Sequence, residues 1–232
     1  MNIVSYNIRG CGNSAKRGRI RQLLQRGNTD MCFIQESKVT RVSEGLIKST
    51  WGYVGCNWPA KEAEGRSGGI ITIWKKGVIH PISSFRGKGL LGVNALWNGI
   101  NCYFVNVYSS CLASEKRELW AELLRLKDKL EVGEWVVRGD FNAVKSKEER
   151  RGRGGGFKLG EIEDFSSFID MMELVDVSVV GCTHTWINAS GMASSRIDRF
   201  LLSEGIIQAW KIVAQYTGSR DISDHRPIWI KA

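Results

Sequence analysis

Short runs of β-forming residues recur along the whole chain and limit its fold more than any other sequence feature. Each run is rich in branched or aromatic residues and is bounded by polar or turn-forming residues. We interpret the following runs as strands: Ile3–Tyr6, Met31–Ile34, Gly69–Trp74, Val78–Ser83, Gly92–Trp97, Cys102–Val107, Glu134–Val137, Thr183–Ile187, Arg196–Leu202 and Ile228–Lys231. Gly99 is expected in the turn before one of them.

Helices interrupt the strands, and each carries its apolar residues on one side. The expected helices are Arg17–Gln25, Glu115–Leu130 and Glu161–Met172. Leucines recur at helical spacing in the second of these, and Ser114 is expected to cap its N-terminus. One-sided helices combined with mixed strands indicate two sheets packed face to face with helices outside, although other layered α/β folds share these patterns.

Length and composition fit a single globular domain over residues 1–232. A chain of 232 residues with 43% hydrophobic residues buries a substantial core. No apolar run approaches the roughly 18–20 residues of a membrane span, and the N-terminus lacks the pattern of a signal peptide. None of the six cysteines lies in a C-x-x-C pair, and Cys32 and Cys102 are expected to be buried thiols. We therefore expect an intracellular, reducing compartment.

The chain is basic, and its positive charge is unevenly distributed. Lysine and arginine number 33 against 24 aspartate and glutamate, which gives a net charge of +9. Two clusters stand out: Lys16, Arg17, Arg19 and Arg21, and then Lys145, Lys147, Arg150, Arg151 and Arg153. A solvated basic surface would have such clusters, and so would a surface that binds a phosphate backbone. Their uneven placement favours a polyanionic partner.

Polar side chains that could carry chemistry follow several of the strands. Glu36 and Asn7 each come just after a strand, where a solvent-facing carboxylate or a turn residue is the alternative. Asp140 and Asn142 would face the same side of an extended segment, with a local turn as the alternative. His225 precedes the last strand. Carboxylate, amide and imidazole groups at separate strand ends are what a magnesium-assisted phosphodiester hydrolase needs.

A series of motifs in one order gives the chain a family resemblance. The motifs are SYNIRG from Ser5, FIQESK from Phe33, FVNVY from Phe104, RGDFNAV from Arg138, FIDMMELVD from Phe168, HTWIN from His184, SRIDRFLLS from Ser195 and SDHRPI from Ser223. Together they resemble the exonuclease–endonuclease–phosphatase superfamily, whose members have the DNase I-like fold. More narrowly, they resemble the endonuclease domain of plant LINE-type non-LTR retrotransposons. The resemblance covers nearly the whole chain and implies a four-layer αββα sandwich of class α/β.

The resemblance implies a role for each candidate residue around the metal and the water. Glu36 would bind the catalytic Mg²⁺, for which Mn²⁺ can substitute. Asp224 would serve as a second metal ligand or support, and the amide of Asn7 would support the same cluster. Asp140 would activate the attacking water, and Asn142 would help to hold it.

The resemblance also implies which residues contact the phosphate. His225 would stabilise the developing charge, with its ring oriented by Asp198. Tyr108 would place its hydroxyl on the phosphate, but Ser109, Ser110 and Cys111 replace a segment in which relatives commonly have proline, so its exact placement stays open. The remaining expected contacts to substrate are Asn188, Ser223, Arg196, Arg150, Arg151 and Arg153.

These expectations combine into a Mg²⁺-dependent endonuclease that nicks double-stranded DNA and leaves a 3′-hydroxyl and a 5′-phosphate. In a retrotransposon, that hydroxyl primes reverse transcription. The expected partners are therefore duplex DNA and the reverse transcriptase region of the same polyprotein. We expect a monomeric domain that acts in the nucleus and binds no membrane. The alternatives are an apurinic-site repair endonuclease, a small-molecule phosphatase of the same superfamily, and a DNA-binding module without catalysis.

Overall fold

The computed structural model describes residues 1–52, 55–65, 67–152 and 159–231. Its helices are α1 (Ser14–Arg26), α2 (Glu44–Trp51), α3 (Ala113–Lys129), α4 (Leu159–Met171) and α5 (Glu204–Trp210). Its strands are β1 (Asn2–Asn7), β2 (Met31–Gln35), β3 (Cys56–Asn57), β4 (Ala60–Lys61), β5 (Ile70–Lys75), β6 (His80–Gly87), β7 (Leu90–Trp97), β8 (Ile100–Tyr108), β9 (Glu134–Asp140), β10 (Arg150–Arg151), β11 (Val175–Asp176), β12 (Val179–Val180), β13 (Trp186–Ile187), β14 (Ser194–Ser195), β15 (Asp198–Leu202), β16 (Gln215–Thr217) and β17 (Ile228–Lys231).

Two large sheets and one small sheet contain these strands. The first large sheet has the order β12-β16-β17-β1-β2-β5-β3, with β4 also paired to β5. The second has the order β11-β15-β9-β8-β7-β6. In each sheet one central pair is parallel, β1 with β2 and β8 with β9, while most other pairs are antiparallel. The small sheet has the order β10-β14-β13 and lies beside the cleft described below.

The two large sheets pack face to face, and helices cover their outer faces. The core between the sheets joins Ile3 and Phe33 of the first sheet to Phe104 and Phe200 of the second. A second apolar cluster packs α3 and α4 on the outside of the second sheet. A third packs α1 and α2 on the outside of the first. Because apolar residues on both faces of each sheet must be buried, four layers result, and the predicted αββα sandwich is confirmed.

The expected elements are present, with shifted ends. All of the expected strands and helices occur, and Gly99 has the left-handed φ of 81° that a turn glycine adopts. The expected N-cap at Ser114 is wrong, because α3 begins two residues earlier than expected and its cap position is Leu112, which makes no side-chain capping bond. Cys32 and Cys102 are buried as expected, and all six cysteines are free thiols.

The strand directions bring several chain segments to one edge of the molecule. The parallel strands β1 and β2 end together at Asn7 and Gln35. The parallel strands β8 and β9 end together at Tyr108 and Asp140. The antiparallel strand β15 begins at this edge, because Asp198 pairs with Asp140. No helix among the described residues is long and apolar enough to cross a membrane.

Candidate active site

A cleft of about 450 Å³ opens at the edge where these strands end. The residues expected to carry chemistry that line it are Asn7, Glu36, Tyr108, Asp140, Asn142 and His225. They come from segments as far apart in sequence as the first and last strands. The structure therefore brings the candidate residues together, and Asp198 supports them from behind His225.

A chain of hydrogen bonds links the residues at the centre of the cleft. Asn7 Nδ2 donates to Asp140 Oδ2 at 2.8 Å, and His225 Nε2 lies 3.8 Å from the same oxygen. On its other side, His225 Nδ1 lies 2.9 Å from Asp198 Oδ2. Asp198 is held in turn by Thr185, whose hydroxyl accepts the backbone N–H of Asp198 at 3.0 Å. The imidazole ring is thus fixed between two carboxylates.

Burial and neighbouring charges set the protonation states of these hydrogen-bonded side chains. Burial alone lowers the pKa of His225, but the carboxylates of Asp198 and Asp140 outweigh it and raise the pKa above its usual range. Burial raises the pKa of Asp140, and the charge of His225 opposes that rise. Tyr108 also has a raised pKa, because burial and the charges of Glu36 and Asp140 disfavour its phenolate. At neutral pH, His225 is therefore cationic and Tyr108 is a hydrogen-bond donor.

The oxygen atoms in the cleft form a donor set that suits a magnesium ion. Glu36 is only 5% exposed and lines the cleft, and its backbone has a left-handed φ of 53°. Lys38 Nζ lies 3.1 Å from Glu36 Oε1, so a cation stands beside this side chain. The amide of Asn7 and the carboxylate of Asp140 lie in the same cleft. Mg²⁺ prefers carboxylate and amide oxygens together with waters, and these residues fit it.

Another group of three residues meets the spacing of a metal site. Ligand atoms of Asp140, Asp198 and His225 all lie within 4.8 Å of one another. However, both oxygens of Asp198 lie within 3.2 Å of His225 Nδ1, so the carboxylate and imidazole bind each other. This group works better as a proton-handling unit than as a cage for a cation.

Asp224 is already bound on both of its oxygens. Arg9 Nε and Arg9 Nη2 each donate to an Asp224 oxygen at 2.8 Å, and Trp186 Nε1 donates to Oδ2 at 2.9 Å. Burial would raise the pKa of Asp224, but these donors lower it to about 2. Both oxygens of Asp224 therefore accept hydrogen bonds from the protein, and its role as a metal ligand or as a support stays a prediction.

Asn142 adopts a turn rather than an extended conformation. Its φ is 46°, and its backbone N–H donates to Asp140 Oδ1 at 3.0 Å. The local turn that we considered as an alternative is therefore the observed geometry, because β9 ends at Asp140 and the chain reverses there. Asn142 still lines the cleft, since its Nδ2 donates to Ser109 O at 2.8 Å and fixes the side chain.

The segment after Tyr108 is held by hydrogen bonds in place of a proline. Ser109 N–H donates to Asp140 O at 2.9 Å. Ser110 Oγ accepts the backbone N–H of Leu112 at 3.1 Å at the start of α3. The first of these bonds connects the ends of β8 and β9, and the second fixes the start of α3, so the segment that follows Tyr108 in the cleft is held at both ends.

Arg196, which was expected to contact the substrate, lies in a buried ion cluster. Its side chain is 14% exposed, with Nη1 3.0 Å from Glu149 and Nη2 2.7 Å from Asp176. Arg199, which is fully buried, binds the same two carboxylates. The two arginines flank Asp198 and join its strand to the segment that carries Arg150. Arg196 therefore stabilises the site from outside the cleft.

The remaining expected contacts differ in how open they are. Arg150 and Arg151 are exposed on β10, and Arg150 lines the cleft. Asn188 closes a turn by accepting the Ala193 N–H on Oδ1 at 3.0 Å. Ser223 donates its hydroxyl to Asn7 O at 2.8 Å, which ties the last motif to the first. Arg153 lies outside the described residues.

The cleft also contains residues that the sequence patterns did not single out. Lys116 and Glu161 pair at 2.6 Å between α3 and α4, and both line the cleft. Their sequence positions carry no signal, because each is one charged residue on an amphipathic helix. Arg9 and Trp186 line the cleft too. Arg9 belongs to the motif SYNIRG and Trp186 to the motif HTWIN, so the motifs themselves could have identified both as candidate site residues.

The sequence and the fold place this chain among known proteins. The Endonuclease/Exonuclease/phosphatase family matches residues 4–225, and the chain belongs to that family. Members act on phosphoester bonds and generally depend on a divalent metal ion. Comparison with curated proteins found no match.

Several known structures share the fold at low sequence identity. A 3′–5′ exonuclease, NExo, from Neisseria meningitidis has a TM-score of 0.79 at 18% identity, over 100% of this chain and 99% of its own. AP endonuclease LMAP from Leishmania major has a TM-score of 0.76 at 17% identity, over 99% of this chain and 86% of its own. The endonuclease domain of TRAS1, a telomere-specific non-LTR retrotransposon, has a TM-score of 0.71 at 14% identity, over 99% and 97% respectively.

Proposed function

We propose that this protein is a Mg²⁺-dependent endonuclease that nicks duplex DNA by attack of water on a phosphodiester. The observation that carries the proposal is the hydrogen-bonded chain from Asn7 through Asp140 and His225 to Asp198, which lies in one cleft beside the carboxylate of Glu36. Family membership supports phosphoester chemistry in general. The exposed Arg150 and Arg151 beside the cleft favour a polyanionic substrate over a small phosphate ester.

The hydrogen-bonded residues at the centre of the cleft each have a separate role in the proposed reaction. Asp140 accepts a proton from the attacking water, and Asn142 helps to hold that water. His225 is cationic and faces the cleft, so it donates to a phosphate oxygen as negative charge develops. Asp198 keeps the imidazole protonated at Nδ1 and correctly turned. Tyr108, which stays protonated, donates a second hydrogen bond to the phosphate.

Glu36 would hold the metal ion, with Asn7 beside it, and Asp224 would support the site through Arg9. When bound, Mg²⁺ supplies Lewis-acid stabilisation of charge on the phosphate. Glu36 suits this role because it is nearly buried and lines the cleft. Mn²⁺ meets the same oxygen ligands and is expected to substitute.

The biological setting that we propose is a LINE-type non-LTR retrotransposon of plants. The motifs resemble that branch, and TRAS1 shows that a retrotransposon endonuclease domain has this fold. A nick that leaves a 3′-hydroxyl and a 5′-phosphate would prime reverse transcription of the element's RNA. Under this proposal the domain is a monomer that acts in the nucleus, and its partners are duplex DNA and the reverse transcriptase region of the same polyprotein.

Nicking of supercoiled plasmid tests this proposal. We expect open-circular product with Mg²⁺ or Mn²⁺, little product with Zn²⁺ alone, and none after exhaustive chelation. Mapping of the ends should find a 3′-hydroxyl and a 5′-phosphate. Undiminished nicking in excess chelator would rule out the mechanism.

A repair role at apurinic sites is the second candidate, and two of the similar structures are AP endonucleases. All the proposed catalytic residues would serve that reaction equally well. Paired oligonucleotide duplexes that differ only by one abasic site distinguish the two functions. A retrotransposon endonuclease should cleave the intact duplex at a rate comparable to the abasic one, whereas a repair enzyme should cleave at the abasic site almost exclusively.

A further inference from the structure

One arginine contacts every residue that was expected to bind the metal, two through its side chain and one through its backbone. Arg9 Nε and Nη2 bind the two oxygens of Asp224 at 2.8 Å, and Arg9 Nη1 lies 3.7 Å from Glu36 Oε1. The backbone N–H of Arg9 donates to Asn7 Oδ1 at 3.1 Å. Its φ of 51° is in the left-handed region, which costs free energy for a residue with a side chain. The fold thus holds a guanidinium between two carboxylates of the site.

We propose that Arg9 is a built-in cation on the Asp224 side of the site, so that the cleft binds one divalent ion and not two. This inference rests on the proposed function, because it concerns the metal that the function requires. In a two-metal site, two cations stabilise the attacking and leaving oxygens of the displacement. Here the guanidinium of Arg9 lies between Glu36 and Asp224. It supplies the positive charge that a second metal ion supplies in a two-metal site.

The bonds around Asp224 explain why a metal ion would not displace Arg9. The Arg9–Asp224 pair is bidentate and charge-assisted, which is the strong form of this interaction. Trp186 Nε1 takes a further lone pair of Oδ2 at 2.9 Å. An ion entering on this side would have to break these bonds and would meet the charge of the guanidinium. Glu36, by contrast, lies farther from Arg9 and remains the anchor for the single ion.

Arg9 is also placed to contact the substrate. Its side chain is 43% exposed and lines the cleft. A guanidinium has five N–H donors, and the Asp224 pair uses two of them. The others are available to a phosphate oxygen entering the cleft. Arg9 would therefore give the scissile phosphate a fixed cationic partner in the cleft.

Counting bound Mn²⁺ tests the inference without relying on activity. The full chain would be titrated with Mn²⁺ alone, and free Mn²⁺ would be measured by electron paramagnetic resonance. We expect one ion for the unmodified protein and for Arg9→Lys, which keeps the charge. Arg9→Ala should bind two ions, because Asp224 is released. Arg9→Ala combined with Asp224→Asn should return to one ion, which locates the second site at Asp224. Arg9→Gln replaces Arg9→Ala if the latter fails to fold by circular dichroism.

The outcomes separate this inference from the function on which it rests. Two ions in the unmodified protein would overturn it, and so would one ion in folded Arg9→Ala and Arg9→Gln. A second ion that persists when Asp224 is also replaced would overturn it as well, because the ion would then bind elsewhere. No bound Mn²⁺ in the unmodified protein, even at millimolar concentration, would instead contradict the proposed metal-dependent function itself.

Discussion

Asp140 is the residue at which most contacts of the cleft converge. It accepts hydrogen bonds from Asn7 and Asn142, and His225 Nε2 lies 3.8 Å away. We predict that Asp140→Ala and His225→Ala each reduce nicking at least about 10³-fold. The double variant should lose little more, because the two groups act on one transition state. Plasmid nicking rates at saturating Mg²⁺ measure both effects.

The matched control is Asp164→Ala on the outer helix α4. Asp164 pairs with Arg117 at 2.7 Å and does not line the cleft, so its loss should leave the nicking rate within about twofold of normal. Circular dichroism would show that all variants are folded. A single variant at Asp140 or His225 that turns over at a near-normal rate would remove that residue from the mechanism.

Arg138 is a residue whose burial the fold tolerates at a cost. It is fully buried between the sheets and stacks on Phe33, with its guanidinium carbon 3.5 Å from the ring centroid. Its Nε, Nη1 and Nη2 have no hydrogen-bond partner among the described residues. Burial holds its pKa well below the usual range. An unpaired buried charge is expensive, even when an aromatic ring covers one face.

We therefore predict that Arg138→Met raises the free energy of unfolding by about 1–2 kcal/mol. Methionine has a similar length and fills the same space without a charge. Arg138→Lys keeps the charge, loses the flat stack on Phe33 and should be less stable than the unmodified protein. Urea unfolding at constant m value measures both. If Arg138→Met were destabilised, the guanidinium would have to be satisfied by a partner such as internal water.

At the scale of elements, the small sheet β10-β14-β13 connects the basic segment and the β13–β14 hairpin to the cleft. The hairpin closes through Asn188 and Ala193, and Met192 at its tip is 77% exposed. An ordinary hairpin turn explains the hydrogen bonds, but the exposed apolar tip suits a probe of the minor groove. Minor-groove entry reads groove width and deformability rather than base identity.

We predict that replacing Ser190–Ala193 with a two-residue Asn-Gly turn redistributes the positions of nicks. The metal requirement and the 3′-hydroxyl product of this variant should not change. The hairpin is not part of the series of contacts that joins the side chains of Asn7, Asp140, His225 and Asp198. High-resolution mapping on one plasmid measures the pattern. Met192→Ala keeps the turn length and removes only the apolar tip, so it separates the effect of that side chain from the effect of the loop length. A cleavage map that overlays that of the unmodified protein would show that the hairpin does not choose the site.

The basic segment on β10 supplies the second prediction at this scale. Arg150 and Arg151 are exposed next to the cleft, and phosphate contacts release counterions. Replacing both with glutamine should lower the slope of log affinity against log salt by up to about 2. Fluorescence anisotropy with a short duplex across a salt series measures the slope.

The matched control for this variant neutralises two arginine or lysine residues at the opposite end of the molecule. Arg26 ends α1 just before β2 begins, and Lys211 follows α5, which comes after the far end of β15. Arg26→Gln with Lys211→Gln removes the same charge but should leave the slope nearly unchanged. Equal slopes for the two double variants would mean that Arg150 and Arg151 form a solvated surface without contact to DNA.

Elements differ in how well the sequence predicts them. Long strands such as β8 and helices with a clear apolar stripe such as α3 were predicted, because their periodicity extends over many residues. The short helix α2 was missed, although Ser43 caps its start and Gly52 ends it with a φ of 77°. Two-residue strands such as β10 and β14 carry no periodic signal, because their pairing depends on tertiary contacts.

At the scale of the whole molecule, the parallel strand pairs explain why the site exists. β1 with β2 and β8 with β9 end at one edge, and β15 and β17 run antiparallel beside them. Residues at strand ends could therefore be predicted as neighbours from the sequence. Their partners could not: that Asp224 binds Arg9 and that Arg196 binds Glu149 depends on how loops fold over the sheet ends.

The source of the oxygen in the product tests the central claim most directly. A duplex with one mapped nick site would be cleaved with Mg²⁺ in water enriched in ¹⁸O, and the ends would be weighed by mass spectrometry. If Asp140 activates a water molecule in line with the phosphodiester, one ¹⁸O enters the 5′-phosphate, the other end is an unlabelled 3′-hydroxyl, and Asp140→Ala forms neither. An unlabelled 5′-phosphate, or label in a 3′-phosphate, would contradict the account.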